Sequence, residues 1–275
     1  MIAEKLRVLV IGAHPDDAEL SAGGLALLYH DRGHEVRFLS LTNGDAGHHT
    51  MSRPALAERR KQEARAAAQS AGIISDVLDV HDGELEPSLP MRGRLIRLIR
   101  QARPDLLLCH RPNDYHPDHR MAGMLVQDAA YLLMVPLVEP SVPPLTQMPV
   151  VGYVWDHFQR PAPFQPTVAV DIGPVFDRKM EMAHCHTSQM YEWLPHVSGH
   201  SAEVPAGETE RRAWLRRSTE PQSRHIADSC RSCLERWYGV ERGKTVQYAE
   251  AVEVSEYGAP LPDEEAARLF PFFGA

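Results

Sequence analysis

Histidine and aspartate residues gather in two short motifs of this 275-residue chain. Residues 12–17 read Gly-Ala-His-Pro-Asp-Asp, and residues 116–119 read His-Pro-Asp-His. Imidazole and carboxylate groups that lie together are the ligands from which proteins build zinc and other transition-metal sites. His14 and Asp17 could converge on one cation, and a catalytic zinc then needs one further protein ligand and an open position for water. The motifs therefore predict metal chemistry.

Each motif follows a predicted strand. Residues 6–12 form a continuous apolar run rich in Val, typical of a strand covered on both faces in a parallel sheet, and residues 105–110 form a second apolar run. In doubly wound sheets, ligands bind outside the carboxyl ends of the strands. We therefore expect the two motifs to meet at one edge of the sheet.

The rest of the chain alternates between strand and helix patterns. Further strands are predicted at 35–42, 77–80, 150–155, 167–172 and 245–254. Helices are predicted at 19–33, 52–72, 91–102, 174–190 and 208–217, and around the pair Cys230 and Cys233. Ser52 and Gly72 are the expected N-cap and stop of the second helix. The alternation predicts an α/β fold with right-handed crossovers and a mainly parallel sheet between layers of helices.

Composition excludes several classes of protein. The chain is 43% hydrophobic and 24% charged, as expected of a globular protein. A formal net charge of -8 argues against nucleic acid as a partner. The first apolar run is too short and too closely flanked by charge for a signal peptide or a membrane span, so we expect a cytoplasmic protein without a membrane anchor.

Three further features of the sequence bear on other possible binding sites. A nicotinamide site would need Gly-x-Gly-x-x-Gly after the first strand, where this chain has an imidazole and two carboxylates that exclude a pyrophosphate. Cys230 and Cys233 form a single Cys-x-x-Cys, which indicates two half-buried thiols on a helix better than a structural zinc site. His48 and His49 either line the substrate entrance or are simply exposed.

The pair of motifs resembles the PIG-L or LmbE-like family of zinc-dependent N-acetylglucosaminyl deacetylases. Supporting matches extend the resemblance over about residues 6–189: Arg60-x-x-Glu63, Asp82-Gly83, Lys179 and His186-Thr187-Ser188-Gln189. The resemblance implies a Rossmann-like three-layer fold. It also implies removal of an acyl group, usually acetyl, from an amino sugar or its conjugate.

The resemblance further implies a role for each matching residue. One zinc per chain would be held by three ligands: His14, Asp17 and His119. The general base, the stabiliser of the oxyanion and the carboxylate that orients this stabiliser would be Asp16, His116 and Asp118. Substrate would be bound by Arg60, Asp82 and His186. Because a carboxylate beside an imidazole favours the imidazolium, we expect His116 to be protonated at neutral pH.

Other functions remain open at this stage. A thiol conjugate or another small N-acyl compound could replace the amino sugar as the amidase substrate. His116-x-Asp118 with a distant His also has the spacing of an iron(II) oxygenase triad, although that triad usually lies in a β-rich jelly roll. A metal- or sugar-binding module without catalysis would have no use for Asp16.

We expect a deacetylase core over residues 1–200 and a C-terminal extension over 201–275. The extension would pack on the core or on a partner subunit, so a homo-oligomer is compatible with the sequence. We place substrate specificity in the Pro-rich loops of residues 136–166, because loops on a rigid scaffold commonly carry it.

Overall fold

The apolar runs form one seven-stranded sheet in the computed structural model, which describes residues 5–273. The strands are β1 (Arg7–Gly12), β2 (Glu35–Ser40), β3 (Ile74–Val77), β4 (Leu106–Cys109), β5 (Val150–Val154), β6 (Val168–Asp171) and β7 (Ala249–Val254). Their order across the sheet is β3-β2-β1-β4-β5-β7-β6. The first five strands pair in parallel, and β7 pairs antiparallel with both β5 and β6. The expectation of an α/β fold with a mainly parallel sheet is confirmed.

Helices surround this sheet. They are α1 (Asp17–Asp31), α2 (Arg53–Ala71), α3 (Leu89–Ala102), α4 (Pro117–Ala130), α5 (Phe176–Cys185), α6 (Leu194–Val197), α7 (Glu208–Ser229), α8 (Arg231–Tyr238), α9 (Val240–Gly243) and α10 (Asp263–Leu269). Within the described residues, no helix is long and apolar enough to cross a membrane.

Each face of the sheet carries its own core because side chains alternate along a strand. Val8 and Val10 of β1 pack into a core that includes side chains of α1, α2, α5 and α10. Leu9 and Ile11 point to the other face and pack with side chains of α3 and α4. Because both faces of β1 are buried, the strand is apolar along nearly its whole length.

The central pair of strands brings the two motifs together. β1 lies beside β4 in parallel, and Ile11 pairs with Cys109 near the carboxyl ends of both strands. The chain leaves both strands at the same edge of the sheet. His14 and Asp17 therefore face the segment that ends in His119, as predicted.

Several predicted elements differ from the structure, among them α7, which continues to Ser229 instead of ending at residue 217. β3 begins three residues earlier than predicted, because Arg37 of β2 pairs with Ile74. The predicted helix over 174–190 is interrupted after Cys185, where the Glu63 carboxylate accepts hydrogen bonds from the backbone N–H and the hydroxyl of Ser188. Ser52 and Gly72 flank α2 as predicted, and Gly72 has the left-handed conformation of a C-terminal stop.

The residues after 200 are not a peripheral addition to the sheet. β7 lies between β5 and β6, so the C-terminal part supplies an interior strand. After it, Phe270 and Phe272 are buried against Tyr29 of α1, and the Tyr29 hydroxyl donates a hydrogen bond to the Leu269 carbonyl. The sheet and its core therefore include residues on both sides of the boundary expected at residue 200.

This packing predicts that Phe270→Ala destabilises the whole protein. Phe270 is 0% exposed, and removing a fully buried Phe side chain typically lowers the free energy of unfolding by about 3 to 5 kcal/mol. Denaturant unfolding followed by circular dichroism measures the change. Tyr257→Ala is the control, because Tyr257 is exposed and its loss should cost less than about 0.5 kcal/mol. Equal stability of the two variants would contradict the packing.

Candidate active site

The first residues of α1 and α4 position the side chains of the candidate site. α1 begins at Asp17, directly after the motif that follows β1, and α4 begins at Pro117, with His116 as its N-cap. Gly12 is required at the end of β1, because a Cβ there would lie 2.7 Å from the Cβ of Asp17. The absence of a side chain at Gly12 thus lets Asp17 fold back over the strand end.

His14, Asp17 and His119 form a close triangle of ligand atoms. His14 Nδ1 lies 3.3 Å from His119 Nε2 and 3.5 Å from Asp17 Oδ2, and His119 Nε2 lies 3.4 Å from Asp17 Oδ1. Tetrahedral zinc ligands at 2.0 to 2.1 Å from the metal are separated from one another by about 3.3 Å. Each pair of these side chains therefore approaches at the spacing of tetrahedral metal ligands, with His14 facing one oxygen of Asp17 and His119 facing the other.

The charges around this triangle also suit a cation. Burial opposes protonation of His14, yet Asp118, Asp17 and Asp82 outweigh it and raise the pKa of His14 well above its ordinary value. In the same way, Asp17 and Asp114 overcome burial and raise the pKa of His119 to about 10. Carboxylates are thus in excess over cations in the absence of a metal. A divalent cation would supply the positive charge that these two histidines otherwise supply as imidazolium.

Further carboxylates fix the orientation of the two imidazoles. Nε2 of His14 lies 3.1 Å from Asp82 Oδ1 and 3.3 Å from Asp118 Oδ2, which leaves Nδ1 to face Asp17 and His119. Nδ1 of His119 lies 3.2 Å from Asp114 Oδ2. Carboxylates that bind the second nitrogen of a metal-ligating His fix its ring and increase its basicity.

Asp118 therefore orients His14 and not the side chain of His116, contrary to the expected role. Its carboxylate also accepts hydrogen bonds from the backbone N–H groups of Gly83 (2.7 Å) and Leu85 (3.3 Å). Burial would raise the pKa of Asp118, but the His14 and backbone hydrogen bonds lower it overall. Asp118 is thus a buried anion that orients His14.

The expected protonation of His116 is also corrected. Burial lowers the pKa of His116, and the charges of His14 and His119 lower it further. Its Nδ1 accepts a hydrogen bond from the backbone N–H of Asp118 at 3.2 Å, so the proton of the neutral ring is on Nε2. His116 can therefore donate a hydrogen bond from Nε2 without carrying a charge.

Asp16 is held by a buried ion pair. Nη2 of Arg60 lies 2.8 Å from Asp16 Oδ1 and donates a second hydrogen bond to the Pro15 carbonyl. Burial raises the pKa of Asp16, and Arg60 opposes the shift only in part. A raised carboxylate pKa suits a group that accepts a proton near neutral pH. Asp16 also has a φ of 155°, a rare conformation for a residue other than glycine, as occurs at functional sites.

The three residues expected to bind substrate are all buried behind the site. Arg60 is 3% exposed and is occupied by Asp16, and Asp82 is occupied by His14. His186 is 0% exposed and lies 3.4 Å from the carboxylate of Glu19. Arg60 and His186 are thus enclosed by other residues, whereas Asp82, at 9% exposed, is as accessible as His119.

His110 is a member of the site that sequence reasoning missed. Its Nε2 lies 3.2 Å from Asp17 Oδ2, and its ring stacks on that of His119 with centroids 4.0 Å apart. Three groups of side chains at this site could hold a metal ion: His14, His116 and His119; Asp17, His110 and His119; and His14, Asp82 and Asp118. The signal was present, because His110 is the last residue of the predicted strand 105–110 and strand ends face the site.

The remaining candidates lie outside the triangle. His48 pairs with Glu192 at 2.9 Å, and His49 stacks between His48 and His196. Cys230 and Cys233 are buried free thiols, and burial raises the pKa of both. Neither pair appears in a metal-competent group among the described residues.

A cavity of about 940 Å³ opens onto Asp17, His110 and His119. Of the Pro-rich segment expected to control specificity, residues 154–158 line this cavity. Much of the remaining wall comes from the region between Met190 and Ile226. The candidate substrate site is therefore built largely from the part of the chain that follows the histidine motifs.

Fold and site together define an α/β protein with a metal-competent cluster at the carboxyl ends of neighbouring parallel strands. Residues 9–130 match the family described as PIG-L: GlcNAc-PI de-N-acetylase. Diacetylchitobiose deacetylase of Thermococcus kodakarensis is 31% identical over 208 residues, which are 70% of this chain and 74% of that protein. The chain belongs to the PIG-L family, which confirms the resemblance of its two motifs.

Other relatives show how varied this group is. A 4-oxalmesaconate hydratase of Pseudomonas putida is 26% identical over 193 residues, 67% of this chain and 74% of the hydratase. The crystal structure of N,N'-diacetylchitobiose deacetylase from Pyrococcus horikoshii, complexed with its inhibitor MPG, superposes with a TM-score of 0.71. The match covers 93% of this chain and 85% of that structure at 22% identity, which establishes the shared fold.

The triangle predicts one divalent metal ion per chain. Elemental analysis of the purified protein should find about one equivalent, and His14→Ala, Asp17→Ala and His119→Ala should each lose it, because a catalytic site has only three protein ligands. His49→Ala should keep the metal, because His49 lies outside the triangle. Full metal content in all three ligand variants would refute the assignment.

Proposed function

We propose that this protein is a zinc-dependent N-deacetylase that acts on an N-acetylglucosamine-type amino sugar or a conjugate of one. The observation that carries the proposal is the His14, Asp17 and His119 triangle with the carboxylate of Asp16 next to it. The deacetylases among its relatives support this reaction class. The proposed ligands are His14, Asp17 and His119, with one zinc per chain.

In the proposed reaction, each residue of the site has a separate role. Zinc bound at the triangle supplies a water of lowered pKa and a Lewis acid. Asp16, held by Arg60, takes the proton from the attacking water and returns it to the leaving amine. His116 donates its Nε2 hydrogen to the oxygen that becomes negative as water attacks the amide carbon. Asp118 and Asp82 keep His14 oriented.

The alternatives differ in the support they have. An amidase acting on a thiol conjugate would use the same residues, so only substrate tests separate it from the sugar deacetylase. An iron(II) triad through His116 and Asp118 is not favoured, because the carboxylate of Asp118 is occupied by His14 and two backbone N–H groups. The hydratase relative makes addition of water to a carbon-carbon double bond a second candidate reaction.

An acetate-release screen tests the proposal. The zinc-loaded protein is incubated with N-acetylglucosamine, its glycosides and N-acetylated thiol conjugates, and acetate and free amine are measured together. We expect stoichiometric release of both from an amino-sugar substrate. Release only from thiol conjugates would move the assignment to the amidase alternative. Turnover of 4-oxalmesaconate in a parallel assay, with no amide hydrolysed, would favour the hydratase.

Asp16→Asn should keep the metal and lose most of the activity. A general base contributes about 100- to 10,000-fold to rate, and the amide cannot accept the proton. Turnover number and metal content are measured on the same preparation. Asp76→Asn, at an exposed carboxylate of β3, is the matched control and should behave like the native protein. Activity near the native level in Asp16→Asn would show that another group is the base.

His116→Ala should lower the turnover number by about 100- to 1,000-fold, the usual effect of removing one oxyanion donor. The Michaelis constant and metal content should barely change, because the interaction is made in the transition state. Since the pKa of His116 lies below its ordinary value, the ring is already neutral at pH 7 and should cause no loss of activity at alkaline pH. If the metal content or the thermal midpoint falls together with the rate, His116 instead has a structural role in its loop.

A further inference from the structure

His110 contacts two of the three proposed metal ligands. Its Nε2 lies 3.2 Å from Asp17 Oδ2, and its imidazole stacks on that of His119 with ring centroids 4.0 Å apart and ring planes 12° apart. The third ligand, His14, is instead oriented by other carboxylates. His110 is 8% exposed and borders the cavity, yet no step of the proposed reaction uses it.

The backbone of His110 is fixed by close packing. It follows β4 directly, and the last residue of that strand, Cys109, pairs with Ile11 of β1. Gly123 of α4 lies so close that a Cβ there would be 2.6 Å from the His110 carbonyl oxygen. His110 is thus tied to β4 and also to α4, the helix that carries His119.

The two carboxylate oxygens of Asp17 have different surroundings. Oδ2 accepts a hydrogen bond from the backbone N–H of His14 at 2.7 Å and also faces His110 Nε2. Oδ1 faces His119 Nε2 at 3.4 Å and has no other hydrogen-bonding neighbour in the described part of the chain. A carboxylate that is bound at one oxygen cannot rotate freely. The contacts at Oδ2 therefore fix the orientation of the carboxylate toward the other two ligands.

The position of the hydrogen on the His110 ring determines whether it attracts Asp17. An ionised carboxylate only accepts hydrogen bonds, so His110 binds Asp17 when its Nε2 carries the hydrogen. The backbone N–H of Ala13 also lies near this nitrogen, but at the longer distance of 3.4 Å. Hydrogen bonds to a charged group are the stronger kind. His110 thus donates to Asp17 in preference to accepting from Ala13.

We propose that His110 is a positioning residue that sets how tightly the site binds zinc. Its Nε2–H holds the carboxylate of Asp17 and its ring holds the plane of His119, so that both ligands are oriented before the metal binds. Groups oriented in advance lose less conformational freedom on binding. The inference rests on the zinc site of the proposed function and deepens it. His110 takes no part in the chemical step.

Zinc affinity measured on two variants tests the two contacts separately. His110→Phe keeps a flat ring against His119 and removes the hydrogen bond to Asp17, whereas His110→Gln keeps an N–H near the position of Nε2 and removes the ring. Competition with a chromophoric chelator of known affinity measures the dissociation constant for zinc. We expect it to rise about 10- to 100-fold in His110→Phe and by a smaller factor in His110→Gln.

Two controls exclude a general loss of structure. His49→Phe makes the same substitution at an exposed imidazole outside the triangle and should bind zinc like the native protein. Thermal midpoints of the metal-free proteins should be close to the native value in both His110 variants. A merely structural role predicts lowered midpoints and equal losses of zinc affinity in His110→Phe and His110→Gln, and that result would overturn the inference.

Turnover separates positioning from substrate contact, since His110 also borders the cavity. The substrate is the N-acetylated amino sugar that is hydrolysed in the acetate-release screen. Activity that His110→Phe loses at limiting zinc should return in excess zinc, with the Michaelis constant unchanged. A raised Michaelis constant that excess zinc does not correct would make His110 a substrate-binding residue and would contradict the proposal.

Failure of the inference is distinguishable from failure of the proposed function. If the native protein binds zinc and His110→Phe binds it equally tightly, the inference is wrong and the zinc site stands. If zinc affinity falls in His110→Phe as expected but no amide is hydrolysed, the inference is supported and only the deacetylase function is refuted. A native protein that binds no zinc would refute both.

Discussion

A buried concentration of negative charge at the carboxyl ends of β1 and β4 is the constraint on which the site depends. Asp17, Asp82 and Asp118 surround His14, and the charge is tolerable only because imidazoles and one guanidinium oppose it. Buried charges of this kind are costly unless they are paired or bind a metal. The same requirement explains why Arg60, which could have served a substrate, is instead enclosed against Asp16. The raised pKa values of His14 and His119 are a response to this excess of carboxylate.

Helix N-termini stabilise the buried carboxylates, and long-range hydrogen bonds fix the segments around them. Asp17 and Asp118 each lie in the first turn of a helix, where the helix dipole favours an anion. At a distance from the triangle, Glu63 of α2 binds the hydroxyls of Thr187 and Ser188 and so ends the preceding helix. His186, directly before them, is fully buried beside the carboxylate of Glu19. Arg60 and Asp82, expected to bind substrate, thus pair with Asp16 and His14 of the candidate site.

The candidate metal site and the walls of the cavity come from different parts of the chain. The two motifs that build the triangle lie within residues 9–130, the part that matches the family. The cavity walls instead come mostly from residues after β5, including α7, and β7 ties this region into the sheet. Both deacetylases and a hydratase occur among the relatives. Fold alone does not determine which substrate enters.

The amino-acid sequence by itself determined the parallel sheet, the order of its first elements and the meeting of the two motifs. These follow from local patterns: apolar runs form strands, and parallel strands place their carboxyl ends at one edge. Only the tertiary structure decided the partners of each side chain. Asp118 faces His14 because the start of α4 turns its carboxylate inward, and His110 joins the site because β4 lies beside β1. The place of β7 between β5 and β6 was likewise hidden, since strand order depends on contacts between residues about 100 positions apart, as in the pairing of Val154 with Val252.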